Sequence, residues 1–349
     1  MRSAKDAVIG DTFHKKDIPV ESLVAVKRPK PMVYAGIFPI DQSHLTKLNS
    51  AIEKVCLNDH SVTKQKGSSA ALGVGWRLGF LGVLHMEVFT QRLEDEYDAN
   101  VVVTPPSVPY RIRLRKHCLN SSKYSDRLMD DDGIITVNNP NEWPVETDCE
   151  TFFEPMVKGT IIVPSEYLSD VTSLCAENRG IQVGIEYIDQ LRIKLQVNFP
   201  LAEILVKFYD SLKSVSSGYG SFDYEEAGYE EAVLVKVNIL INEVAVPELA
   251  TITHATRAKE YGKRLVTKLH ETIPRQQFAI KIQATVGTSS KVLARGDIKP
   301  VRKDVTAKCY GGDMSRKMKL LKHQAEGKKR MRMVGKVQLS QDVFRKLLT

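Results

Sequence analysis

Residues 156–224, MVKGTIIVPSEYLSDVTSLCAENRGIQVGIEYIDQLRIKLQVNFPLAEILVKFYDSLKSVSSGYGSFDY, decide the fold, because they give six elements in one order. A strand over 156–163 leads to a helix over 165–178 that Gly180 stops. Strands follow over 181–188 and 191–199. A second helix starts directly after Pro200, with Leu201, Leu205, Phe208 and Leu212 on its core face, and a last strand occupies 219–224. The order β-α-β-β-α-β is the ferredoxin-like plan.

Upstream the same plan recurs. A strand over 32–38 precedes a helix opened by Asp41-Gln42-Ser43, whose Leu45, Leu48, Ile52 and Val55 keep a 3.6-residue period. Strands are expected over 61–64 and 71–74, then a helix over 80–96 with Leu81, Leu84 and Val88 inward, then a strand over 100–103. The intervening 120–150 reads as loop, with turn clusters at 130–133 (DDDG) and 138–141 (NNPN). Downstream come a half-buried strand over 234–241, a helix over 256–272 and a strand over 278–286. The 256–272 helix turns Ala258, Tyr261, Leu265 and Leu269 inward and Arg257, Lys259, Lys263, Arg264 and Lys268 outward.

The fold class expected is α+β: two ferredoxin-like (βαββαβ) domains followed by a basic α+β C-terminal domain. The division is 1–29, the remnant of a β-barrel domain (Ala7-Val8-Ile9 running into Gly10-Asp11) and a linker; 30–115, ferredoxin-like; 116–152, a linker loop; 153–230, ferredoxin-like; and 231–349, the basic domain.

Composition narrows the class. A chain of 349 residues with 42% hydrophobic and 26% charged side chains is globular. Its longest apolar stretch, 78–86, is about half of a membrane span. The five cysteines are odd in number and no two are closer than 26 residues, so neither a disulfide framework nor a CxxC knuckle is indicated. They read as buried small hydrophobes.

Charge is concentrated in 299–336, which carries 13 Lys/Arg against Asp304, Asp313 and Glu326, a net +10 in a chain whose total is +8. Such a concentration points to polyphosphate, and to RNA before other polyanions. Met314, Met318, Leu321 and Ala325 share one helical face, while Arg316, Lys319, Lys322 and His323 lie opposite. A helix from Ser315 to near Gly327 is expected, preceded by a turn at Tyr310-Gly311-Gly312-Asp313. A merely solvated face and a membrane-surface helix stay open as alternatives.

Several chemistries are absent from the sequence. There is no Walker A loop, no GxSxG elbow and no HExxH helix. Gly73-Val74-Gly75-Trp76-Arg77-Leu78-Gly79 resembles a dinucleotide loop only loosely and reads as close packing; Asp130-Asp131-Asp132-Gly133 reads as a turn. None of the eight histidines has metal-ligand spacing, and His85 reads as a packed or capping side chain. No catalytic, cofactor or metal residue is assigned.

Particular blocks go further. AGIFP (35–39), LNDHSVT (57–63) and GWRLGFLGVLHMEVFTQRLEDEY (75–97) resemble the third domain of elongation factor 4, also called LepA. PLAEILVKFYDSLKSVSSGYGSFDYEEAGY (200–229) resembles that family's second ferredoxin-like domain, similar to domain V of elongation factor G. IPRQQFAIKIQATVG (273–287) and VRKDVTAKCYGGDMSRKMKLLKHQAEGKKRM (301–331) resemble its special C-terminal domain. GWRLGFLG, FYDSLKSVSSGY and RKMKLLKHQAEGKK are more similar to the eukaryotic mitochondrial form. Ser289-Ser290 and Gly296-Asp297 depart from the family pattern.

The resemblance implies a mitochondrial, ribosome-binding translation GTPase that promotes tRNA back-translocation and translational fidelity. Its partners are ribosomal RNA and tRNA, with a monomeric chain and a peripheral membrane association left open. GTP and Mg2+ are implied for the full-length family member, whose GTP-binding domain would precede Ala7. The residues expected to meet RNA are Arg302, Lys303, Lys308, Tyr310, Gly311, Gly312, Arg316, Lys317, Lys319, Lys322, Lys328, Lys329 and Arg330. The alternative is a stand-alone RNA- or ribosome-binding module without GTPase activity.

Overall fold

The structure, a computed structural model, describes residues 30–69, 72–118, 124, 129–130, 132–205, 207–287, 291–306, 314–334 and 343, with scattered positions before 30. For Lys329 and 332–334 it describes the backbone alone.

The first domain runs β1 (Val33–Pro39), α1 (Leu45–Asn58), β2 (Thr63–Ser69), β3 (Gly73–Phe80), α2 (Val83–Tyr97), β4 (Val101–Val103). Its sheet order is β2-β3-β1-β4, every pair antiparallel, which is the ferredoxin-like arrangement. Helix α1 buries Leu48, Ala51, Ile52, Val55 and Cys56, close to the expected face. Helix α2 differs from expectation: it begins three residues later than read, buries Met86, Phe89 and Leu93, and leaves Leu84 and Val88 exposed. Residues 73–80 extend as β3 instead, because Gly75 and Gly79 let neighbouring strands approach. A Cβ on Gly75 would stand 2.5 Å from the Ile37 carbonyl oxygen.

The second unit comprises β5 (Tyr110–Leu114), β6 (Ile134–Val137), β7 (Cys149–Pro164), α3 (Leu168–Glu177), β8 (Ile181–Tyr187), β9 (Arg192–Pro200), α4 (Leu201–Ile204), α5 (Phe208–Val215) and β10 (Ser221–Glu231). Strands β8-β9-β7-β10 again form the ferredoxin-like sheet. The helix expected after Pro200 is broken into α4 and α5, but Leu201, Phe208 and Leu212 are buried as read. Phe199, Phe208 and Phe222 pack with centroids 4.9 to 6.1 Å apart, each pair adding about 0.5–1.5 kcal/mol beyond area burial.

Residues 116–152 are more than linker. The first half of β7 pairs with β5, which pairs with β6, and the extension has its own small core of Ile112, Leu114, Cys118, Tyr124, Ile135, Val137 and Cys149. Strand β5 therefore joins the second sheet although it precedes residue 115.

The third unit comprises β11 (Leu234–Ile241), β12 (Val244–Ala245), β13 (Thr251–His254), α6 (Ala258–Thr272), β14 (Ile280–Val286), β15 (Lys291–Ile298) and α7 (Met314–Val334). The sheet runs β12-β11-β14-β15, with β13 also on β11, and α6 buries Ala258, Gly262, Val266 and Leu269 on it. Strand β15 was not foreseen.

The units share cores. Phe38, Leu72 and Val102 of the first pack with Val237, Ile239 and Ile241 of the third, and Ser69 Oγ donates to Glu248. The second and third meet at a charge network: Arg179 holds Glu154 at 3.0 and 2.5 Å, and Arg257 Nη1 donates to Glu203 at 2.5 Å. Arg257 was expected outward; its charge is spent on Glu203. Burial raises the Glu203 carboxyl above its ordinary value, against the opposing pull of Arg257 and Arg179.

Candidate nucleic-acid interface

Helix α7 sits on the third unit through one line of half-buried residues, Lys317, Leu320, Gln324 and Lys328, spaced three, four and four apart. Gln324 Nε2 donates to the Lys303 carbonyl at 2.8 Å, and Lys328 Nζ donates to Gln277 Oε1 at 2.8 Å. The apolar face read from the sequence is open: Met314 is 67% exposed, Met318 64% and Leu321 44%. The anchored line is rotated roughly 90° from that stripe at 100° per residue. Period alone gave the helix; the neighbours at Gln277 and Lys303 set its phase.

The helix also passes through Gly327, where a stop was expected. An interior glycine costs only about 1 kcal/mol relative to alanine, and the Gln324 and Lys328 contacts lie on either side of it. The cations beyond the anchored line, Arg316, Lys319, Lys322 and Arg330, are exposed. Among the described residues, Lys319, Lys322 and Arg330 have no carboxylate partner.

Beside α7 lies a notch lined by Arg275, Lys299, Pro300, Val301 and Arg302. It forms because Val301 N donates to the Gln276 carbonyl at 2.8 Å, pulling 299–302 against the turn before β14. Three cations line it and, among the described residues, no carboxylate does. Arg275 was absent from the sequence-derived set; only folding brings it to Lys299. Lys303 is exposed next to it, and Asp304 turns back to take Thr306 N at 2.9 Å. Of the expected residues, Arg302, Lys303, Arg316, Lys317, Lys319, Lys322, Lys328 and Arg330 lie along this surface. Lys308, Tyr310, Gly311, Gly312 and the side chain of Lys329 fall outside the described residues, as does the remnant expected at 7–11.

The other candidates resolve into packing. His85 Nδ1 accepts from Leu81 N at 3.2 Å while its Nε2 meets Asp59 Oδ2 at 2.6 Å, which pins the start of α2. Gly133 N closes its turn on the Asp130 carbonyl at 2.9 Å. A cleft of about 300 Å³ between units is lined by Lys66, Arg77, Glu142 and Glu248. Burial pulls the Arg77 guanidinium down to about 10, and the group is engaged by Ser107 and the Asn138 carbonyl, so it braces the seam. No P-loop occurs in the sequence, and the glycines of 73–79 serve strand packing in β3 rather than a phosphate loop, so no residue of this chain is assigned to GTP or Mg2+.

Cys56, Cys118, Cys149 and Cys175 are buried free thiols. Burial first of all pushes Cys56 up to about 11, and Cys149 and Cys175 up to about 12. No helix among the described residues is long and apolar enough to cross a membrane.

Two family models match: GTP-binding protein LepA C-terminus over 241–349 and elongation factor G C-terminus over 151–240. Over 348 residues, all of this chain, the sequence is 51% identical to translation factor GUF1, mitochondrial, of Bos taurus and of Homo sapiens. It is 46% identical to the Dictyostelium discoideum homologue over the same length. The chain spans about half the length of these curated relatives, 51% of the first two and 48% of the third. Two ferredoxin-like sheets, a C-terminal unit matched by the LepA C-terminus model and half-identity end to end agree in one direction: over its whole length this chain is similar to translation factors of the elongation factor 4 (LepA) family.

Proposed function

We propose that this chain is the ribosome-binding portion of a mitochondrial translation factor of the elongation factor 4 family, with α7 and the Arg275–Lys299–Arg302 notch lying against RNA phosphates. The observation that carries the reading is a helix whose Lys319, Lys322 and Arg330 are exposed and, among the described residues, have no carboxylate partner, beside a notch lined by Arg275, Lys299 and Arg302. It lies inside the segment that the LepA C-terminus model matches. The whole factor's tRNA back-translocation and fidelity roles, its GTP and its Mg2+ belong to this proposal, and no residue of this chain is assigned to hydrolysis. The test is sedimentation with mitochondrial ribosomes across a salt series. With about six phosphate contacts, affinity falls roughly a thousandfold between 50 and 200 mM salt; affinity independent of salt rejects the reading.

The open Met314, Met318 and Leu321 stripe supports a second reading, peripheral docking of α7 on an anionic membrane. Flotation with anionic vesicles, with no ribosomes present, separates the two.

A further inference from the structure

We propose that His117, Cys118 and Asp148 form a binding site for one zinc(II)-class divalent ion, stapling the β5–β6 extension onto β7. A ring nitrogen of His117, the Cys118 sulfur and a carboxylate oxygen of Asp148 all lie within 4.8 Å of one another. They come from two short 3₁₀ turns, Lys116–Cys118 after β5 and Glu146–Asp148 before β7, held together by Arg115 N donating to the Asp148 carbonyl at 3.0 Å. Sequence spacing hid the group because Asp148 is distant from the other two and only the β5–β7 pairing joins them.

The donor set selects the metal. Nitrogen, sulfur and oxygen donors together suit zinc, whereas magnesium and calcium take oxygen alone. Bond lengths of about 2.0 to 2.3 Å in a tetrahedron separate neighbouring donors by about 3.3 to 3.8 Å. With all three donors within 4.8 Å of one another, the present group is within about 1 Å of that spacing. On binding, the Cys118 S–H bond breaks, its proton goes to solvent and the thiolate binds the ion; His117 binds neutral. The Tyr124 hydroxyl, on a ring only 2% exposed, donates to Asp148 Oδ2 at 2.8 Å and orients that carboxylate as outer-shell partners do. Three protein donors leave water as the fourth ligand of a tetrahedral zinc ion. Among the described residues the local core is seven side chains, a setting in which a metal staple contributes to folding.

The experiment titrates the full chain, stripped with a chelator, with zinc chloride against a chromophoric competitor and follows its thermal midpoint. One equivalent is expected to bind and to raise the midpoint. His117→Ala, at an exposed position, abolishes binding while melting like the stripped parent; Cys118→Ser also abolishes binding, and its midpoint no longer responds to zinc; Tyr124→Phe weakens binding about ten- to a hundredfold, and Cys175→Ser, in a different core, leaves binding unchanged. No stoichiometric zinc in the parent, or equal binding by Cys118→Ser, overturns the proposal.

Discussion

Replacing Lys319, Lys322 and Arg330 together by alanine removes three outward charges while leaving the anchored line of Lys317, Leu320, Gln324 and Lys328 untouched. Alanine is the strongest helix former, so α7 persists, which circular dichroism verifies. Each phosphate contact contributes about 0.7 to 0.9 to the slope of log affinity against log salt. Three lost contacts flatten the slope by about 2 to 3, and at 0.1 M salt weaken binding roughly a hundredfold, about 3 kcal/mol. Fluorescence-monitored binding to ribosomes at four or more salt concentrations reads both quantities. An unchanged slope with weaker binding would mean that the triple change acts through folding; an unchanged slope and unchanged affinity would refute the phosphate contacts themselves.

Leu93→Ala should cost about 2–5 kcal/mol in denaturant unfolding and Leu84→Ala no more than about 0.5, because Leu93 is fully buried and Leu84 is 73% exposed. Arg257→Ala leaves the buried Glu203 carboxylate only the longer contact to Arg179 at 3.8 Å and should cost about 2–3 kcal/mol near neutral pH. Since burial already lifts that carboxyl and losing Arg257 lifts it further, the deficit should shrink as pH falls and Glu203 takes a proton; a pH-independent deficit contradicts this. The Cys56, Cys149 and Cys175 thiols should resist alkylation at pH 8 until the chain unfolds. Their native values lie above the unfolded one, so their stabilising contribution is whole below about pH 8.5 and disappears as pH rises toward 11–12, measured as an alkaline loss of the thermal midpoint.

Both ferredoxin-like plans were legible because their elements are amphipathic with clear periods and are bounded by Pro200, Gly180 and the polar loops. What period does not carry is phase. On α2 the inward face is Met86, Phe89 and Leu93, chosen by Phe80 and the sheet beneath, and on α7 it is a mostly polar line chosen by hydrogen bonds to Gln277 and Lys303. Strand β15, KVLARGDI, escaped because its alternation is diluted by Arg295, Gly296 and Asp297 and it exists through pairing with β14. At the interface the charge run was plain in the sequence. Arg275 was not, since a single backbone hydrogen bond between Val301 and Gln276 creates the notch.

The most direct measurement is lysine-reactivity footprinting of the chain free and bound to mitochondrial ribosomes, read residue by residue by mass spectrometry. The account predicts strong protection of Lys299, Lys319 and Lys322 on binding, with Lys54 on the exposed side of α1 much less affected. If Lys319 and Lys322 react equally in the free and bound states while binding is saturated, α7 does not face the RNA.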